Sequence, residues 1–162
     1  YDISVLPPLI KYHLTQDTGY VYCVAFHPTL PLLATGSDVD YATLLYDISA
    51  LSALSSISTT LTQPSQPPLT VQYRLQHHKR SVTSISFHVF YDTLQLLATA
   101  SDVSTIILYD LSTAPPSIKY HVVNHTNSLH LHSTVFHPSL PLQSNTLKDG
   151  SITFYNLSLI LM

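Results

Sequence analysis

Apolar and polar residues alternate along this chain over short stretches, with a period of two. Ser151-Ile152-Thr153-Phe154-Tyr155 alternates behind Asp149-Gly150, a hairpin turn signal. Val21 to Phe26 and Ser104 to Tyr109 are short runs of β-branched and aromatic residues bounded by Pro, Asp and Ser. Each reads as a strand. No stretch carries apolar residues at helical spacing. The nearest candidate, Ala50 to Ile57, is Ser-rich and uncapped, and it passes into Gln63-Pro64-Ser65-Gln66-Pro67-Pro68, a surface-loop composition. The pattern predicts an all-β protein.

The strands come in a repeated set. Val24-Ala25-Phe26-His27-Pro28, Leu33-Ala34-Thr35-Gly36-Ser37 and Leu45-Tyr46-Asp47 return as Ile85-Ser86-Phe87-His88, Leu97-Ala98-Thr99-Ala100-Ser101 and Leu108-Tyr109-Asp110. A third copy reads Thr134-Val135-Phe136-His137-Pro138, Lys148-Asp149-Gly150 and Phe154-Tyr155-Asn156, and Tyr1-Asp2-Ile3-Ser4 matches Tyr46-Asp47-Ile48-Ser49. From Asp2 to Asp47 is 45 residues, from Asp47 to Asp110 is 63, and from Asp110 to Asn156 is 46. An insertion of roughly 18 residues, Ala50 to Pro68, accounts for the long interval and leaves a period near 45, that of a four-stranded blade.

These copies resemble WD40 repeats: an apolar strand ending in Phe-[Ser/His]-Pro, a Leu-Ala-[Ser/Thr]-Gly-Ser strand, an Asp-bearing turn and a strand ending in Trp-Asp. The resemblance covers nearly the whole chain and implies a partial β-propeller of four-stranded antiparallel blades. The chain has no Trp, so Tyr46, Tyr109 and Tyr155 stand at the Trp positions. In the family a His, a strand Ser or Thr, the turn Asp and the Trp form a hydrogen-bonded chain within each blade. Carried over, this implies His78, Thr99 and Tyr109 with Asp102 in the second copy, although Asp102 falls one place early. It implies Thr35, Tyr46 and Asp40 in the first copy, and Asp149 and Tyr155 in the third. A Tyr hydroxyl can donate where an indole N–H would, but with a different reach. The networks are expected to be incomplete.

The repeats place the tail of a preceding blade at 1–4, blades at 5–49 and 73–112, the insertion loop at 50–72, and a third blade, open to being incomplete, at 113–162. Propellers close with four to eight blades. A further part of the same chain or another subunit is therefore expected to complete the ring.

Composition narrows the chemistry. Charged residues make up 9% of the chain, against about 25% in an average soluble domain; one reading is a surface largely buried in an assembly. A net charge of −3 offers no footprint for direct nucleic-acid binding, which draws on Lys and Arg. The basic spot is Lys79-Arg80, beside His77 and His78. No apolar run approaches the roughly 18 residues of a membrane span, and no signal peptide is visible. The single cysteine, Cys23, lies in a predicted strand and reads as a buried structural thiol. That usage suits an intracellular, cytoplasmic or nuclear setting.

Ten histidines raise a metal reading. His130-Leu131-His132 puts two imidazoles on one face of a strand, His125 or His121 could add a third, and imidazole suits zinc or copper. No carboxylate or Cys matches the spacing, however, and Leu131 aligns with the core position Val21, which turns both His outward. No metal and no cofactor is expected. His27, His88 and His137 follow the first strand of each copy and read as turn residues. No enzyme motif is present, and Asp38, Asp40 and Asp102 read as turn residues bonding their own backbone.

What remains is recognition. The resemblance implies a non-catalytic scaffold or adaptor that binds other protein subunits through its loops. Candidate contacts are Asp17, Thr18 and Tyr20; His77, His78, Lys79 and Arg80; Asn127; and the turns carrying Asp38, Asp40, Asp102, Lys148 and Asp149. The insertion could also dock as an extended peptide. Two alternatives stand beside this reading. One is a WD-repeat subunit of an RNA-processing or ribonucleoprotein assembly, since Val21–Ser49 and Ser81–Leu111 faintly resemble the WD-repeat subunit of cleavage stimulation factor. The other is a metal-binding or enzymatic propeller using the histidines.

Overall fold

Where the sequence alternates, the computed structural model has strands. It describes residue 14 and residues 19–52, 69–90, 94–123 and 130–159. Among these lie three antiparallel sheets. Sheet 1 holds β1 (Val21–Phe26), β2 (Leu32–Ser37), β3 (Thr43–Asp47) and β4 (Val71–Leu75). Sheet 2 holds β5 (Val82–Phe90), β6 (Leu94–Ser101), β7 (Thr105–Asp110) and β8 (Ser117–Val123). Sheet 3 holds β9 (Leu131–Phe136), β10 (Leu142–Leu147) and β11 (Ile152–Asn156), three strands among the described residues.

Sheets and sequence repeats are offset by one strand. β4 pairs with β3, with Leu45 opposite Tyr73, and β8 pairs with β7, with Leu108 opposite Tyr120. The segment from Ala50 to Pro68 thus separates two strands of one sheet. Its first residues form a single helical turn, α1 (Ser49–Ser52), after Asp47 Oδ1 accepts the Ser49 N–H at 2.8 Å; residues 53–68 lie outside the described residues, as do 1–4.

The Asp of the repeat earns its place through the same turn each time. Asp47 accepts from Ser49 N, Asp110 from Ser112 N at 2.9 Å, and Asn156 from Ser158 N at 2.9 Å. These are Asx turns that cap the chain as it leaves the strand. His27 and His137 act similarly after the first strand. His27 Nδ1 accepts the N–H groups of Thr29 and Leu30, and His137 Nδ1 those of Ser139 and Leu140. His88 departs from the expected turn role. It lies inside β5, opposite Leu96, because Val89 and Phe90 follow it where the other copies have Pro, and the strand runs on.

The sheets pack face to face, with β5 between β1 and β9. Between sheets 1 and 2 lie Ala34, Leu45, Leu75, Val82, Ile85, Leu97, Ile107 and Tyr109. Between sheets 2 and 3 lie Leu96, Ala98, Ala100, Ile106, Leu108, Leu131, Phe136 and Leu157. The two junctions differ along their inner strands. Thr83 Oγ1 donates to Leu131 O at 2.8 Å, Thr134 N donates to Ser84 Oγ at 3.0 Å, and Phe136 N donates to Ser86 Oγ at 3.3 Å. In the first junction Cys23, in the place of Ser84, offers a longer contact of 3.6 Å from Sγ to Val82 O. Burial pushes the Cys23 thiol up to about 12, as expected of a structural rather than nucleophilic cysteine.

Candidate interaction face and its supporting network

One end of each sheet is closed by the same backbone clasp. The residue after the second strand donates to the segment before the first: Asp38 N to Tyr20 O at 3.3 Å, Asp102 N to Ser81 O at 3.2 Å, and Lys148 N to His130 O at 2.9 Å. The bonds between inner strands keep the three sheets level, so these clasped loops share one end of the molecule. Tyr20, Asp40, Tyr41, His77, Lys79, Arg80, Val103, Lys148 and Asp149 are exposed there. Asp17, Thr18 and Asn127 lie outside the described residues.

The turn carboxylates divide into different roles. Asp38 Oδ1 accepts the Tyr20 N–H at 2.9 Å, tightening the first clasp. Asp40 does not join Thr35 and Tyr46 inside sheet 1. It holds a left-handed φ of 52°, as does its neighbour Tyr41 at 53°, and its exposed carboxylate pairs with Arg74 of β4. Asp149 likewise turns outward instead of toward Tyr155. It accepts from Ser151 N at 2.9 Å and Ser151 Oγ at 2.6 Å, and these bonds hold its carboxyl below the usual range. Gly150, at φ 85°, supplies the left-handed residue that this turn needs.

Sheet 2 carries an internal network built on a loop histidine. His78 is 7% exposed, with Nε2 at 2.7 Å from Thr99 Oγ1 and Nδ1 at 3.1 Å from Thr105 Oγ1. The Thr99 hydroxyl lies 3.5 Å from Ile107 O. With that hydroxyl donating to the carbonyl, the geometry assigns the His78 proton to Nε2 and makes Thr105 the donor to Nδ1. Thr105 therefore takes the position expected of Asp102, whose Oδ1 is buried without a hydrogen-bond partner among the described residues. Tyr109 is fully buried, and its hydroxyl shares a 3.1 Å hydrogen bond with His77 Nδ1. Both histidines of the loop are thus tied to the strands beneath it. Burial, with His121 and His77 nearby, lowers the His78 pKa to about 4, and burial raises that of the Tyr109 phenol.

Sheet 3 fills the same register rows with amides. Gln143 and Asn145 stand where sheet 2 has Leu97 and Thr99, and Thr134 stands where it has Ile85. All three are buried. Gln143 Nε2 donates to Thr134 Oγ1 at 2.6 Å and to Asn145 Oδ1 at 3.3 Å, while Asn145 Nδ2 has no partner among the described residues. Tyr155 sits beside this cluster, half-buried.

Among the described residues no group of three or more His, Cys, Asp or Glu is placed to hold a metal ion. His130 and His132 are exposed on either side of buried Leu131 at the head of sheet 3, whereas His121 belongs to β8 of sheet 2. No described helix is long and apolar enough to cross a membrane.

The WD domain, G-beta repeat family matches residues 9–40 and 69–110. No curated protein matches the sequence. In three dimensions the chain is similar to the Cps50 (Swd1) beta-propeller domain of Myceliophteria thermophila, with a TM-score of 0.65, 18% identity, 90% of this chain covered and 38% of that one. Sqt1 of Saccharomyces cerevisiae gives 0.62 and 20% identity over 86% and 32% of the two chains. The RRP9 WD40 repeats give 0.65 and 12% identity over 90% and 38%. These likenesses show the fold, and the chain spans about a third of the length of each structure.

Proposed function

We propose, from the premise that the chain belongs to the WD40-repeat family, that it is a non-catalytic scaffold whose clasped loop face binds other protein subunits of a larger assembly. The threefold clasp carries this reading. It gathers variable loops on one end of a rigid stack and leaves Tyr20, Lys79, Arg80, Lys148 and Asp149 exposed, with aromatic and Arg side chains of the kind enriched at protein interfaces. The His78 network beneath the second loop reduces the ordering cost of binding.

The RNA-processing alternative gains nothing from fold likeness at 12% identity. A cytoplasmic or nuclear setting belongs to this proposal also. Cross-linking of the protein purified with its partners tests it. Lys79 and Lys148 should cross-link to partner chains, and a Lys79→Glu/Arg80→Glu variant should lose at least tenfold of the recovered partner while Thr29→Glu, at the opposite end, retains it. Equal recovery with both variants overturns the reading.

A further inference from the structure

The end of the molecule opposite the clasps is held by a different device. After β1 the chain turns back through Pro28 and Pro31, and His27 N donates to Leu32 O at 2.9 Å. The His27 ring organises this turn. Its Nδ1 accepts from Thr29 N at 3.2 Å and from Leu30 N at 2.9 Å. A ring nitrogen that accepts two N–H groups carries no proton, which assigns the hydrogen of the neutral imidazole to Nε2. The same ring packs on Phe87 of β5, with centroids 5.1 Å apart and planes at 66°. His27 is 5% exposed, and Nε2 has no hydrogen-bond partner among the described residues. One imidazole thus holds the turn of sheet 1 and seals that turn against sheet 2.

Protonation is incompatible with both roles. A hydrogen on Nδ1 turns the acceptor into a donor that faces two N–H groups, and it places a charge in a buried aromatic contact. The surroundings supply no counter-ion. β1 itself adds only Tyr22 and Cys23 to the titratable groups, β2 adds none, and β5 adds only His88, which is another base. Asp47 ends β3 opposite Leu32, but its carboxylate is exposed and accepts from Ser49 N. Burial accordingly lowers the His27 pKa with no charged neighbour opposing it. The turn also shapes the surface beside it. Leu30 and Leu32 wall a groove of about 160 Å³ together with Leu45, Tyr73 and Leu111.

We propose that His27 is an acid-released latch: the neutral ring pins the β1–β2 turn onto Phe87, and the protonated ring frees the turn and removes one wall of the groove. In the freed turn the imidazole has its ordinary pKa near 6.5. The freed form therefore binds more protons than the latched form below about that pH. Its population rises there by up to about tenfold per pH unit, and above that pH the latch stays shut. The inference is independent of the loop-face reading, because the turn lies at the other end of the sheets.

Amide hydrogen exchange read by NMR, with the imidazole resonances followed over the same pH range, tests the latch. Below about pH 6.5 the Thr29 and Leu30 amides should lose protection by up to about tenfold per pH unit, in step with the His27 ring and ahead of the β6 amides around Thr99. His27→Asn supplies an acceptor that does not titrate, as Asn156 Oδ1 does for Ser158 N. Its turn amides should stay protected over the same range. His78 is present in both proteins, so its own pH dependence cancels in the comparison. If the Asn variant does not fold, the unmodified protein decides by whether the turn amides open before β6. Turn protection that is flat with pH, that falls only together with β6, or that falls equally in His27→Asn overturns the inference.

Discussion

Sheets 2 and 3 place a tyrosine at the same register position, yet only one of them builds a network on it. Tyr109, opposite Leu97, is fully buried and bonded to His77, above a His78 that bridges Thr99 and Thr105. Tyr155, opposite Gln143, stays half-buried beside amides, one of which leaves a donor unpaired. The difference teaches that the aromatic of the repeat does not organise a blade by itself. A two-nitrogen side chain arriving from the preceding loop does, because it can link two strands at once.

Removing that link should have the largest effect. His78→Ala takes the imidazole away from the buried Thr99 and half-buried Thr105 hydroxyls and opens a cavity, so unfolding by urea should show a loss of about 3 kcal/mol. Acidification probes the same site. The folded pKa of about 4 lies below the usual value near 6.5, so between those limits the unfolded chain binds more protons and stability falls as pH falls. His27 and His88, also lowered by burial, act in the same direction. The His78 share, roughly 3 kcal/mol when complete, should vanish in His78→Ala and flatten the profile measured from pH 7 to pH 4.

Smaller substitutions sharpen the contrast. Gly36 stands where sheet 2 has Ala100, but a Cβ there would lie 2.5 Å from Cys23 Sγ and 2.7 Å from Val82 Cγ1. Gly36→Ala should cost about 2 kcal/mol in thermal unfolding by overpacking the first junction. Asn145→Thr copies Thr99 into sheet 3 and removes the orphaned amide, and calorimetry should show a gain of about 1 kcal/mol. Gly150→Ala meets no steric neighbour, so only its left-handed backbone resists. The loss should be about 1 kcal/mol.

Much of the fold was legible in local patterns. Strand alternation, the Asp149-Gly150 turn and the recurring Tyr-Asp endings are short-range signals, and each corresponds to a strand or turn. The positions of His78, Thr99 and Tyr109 were legible from the repeat, but the partners Thr105 and His77 were not, because which hydroxyl or ring reaches a neighbour depends on the loop path rather than on spacing. Asp40 and Asp149 were legible as turn residues. Their outward direction was not, since Arg74 and Ser151 decide it across a strand and along the turn. The Thr83, Ser84 and Ser86 hydroxyls lie about 50 residues from the β9 backbone that they bond, and no local pattern announces such a contact.

Native-state amide hydrogen exchange tests most directly whether the His78 network makes sheet 2 the rigid centre of this molecule. The account predicts that the β6 and β7 amides around Thr99 and Ile107 exchange most slowly, and that those of β10 and β11 open at lower free energy. In His78→Ala, sheet 2 should fall to the level of sheet 3. Equal protection of the two sheets in the unmodified protein, or protection in sheet 2 that survives the substitution, would contradict it.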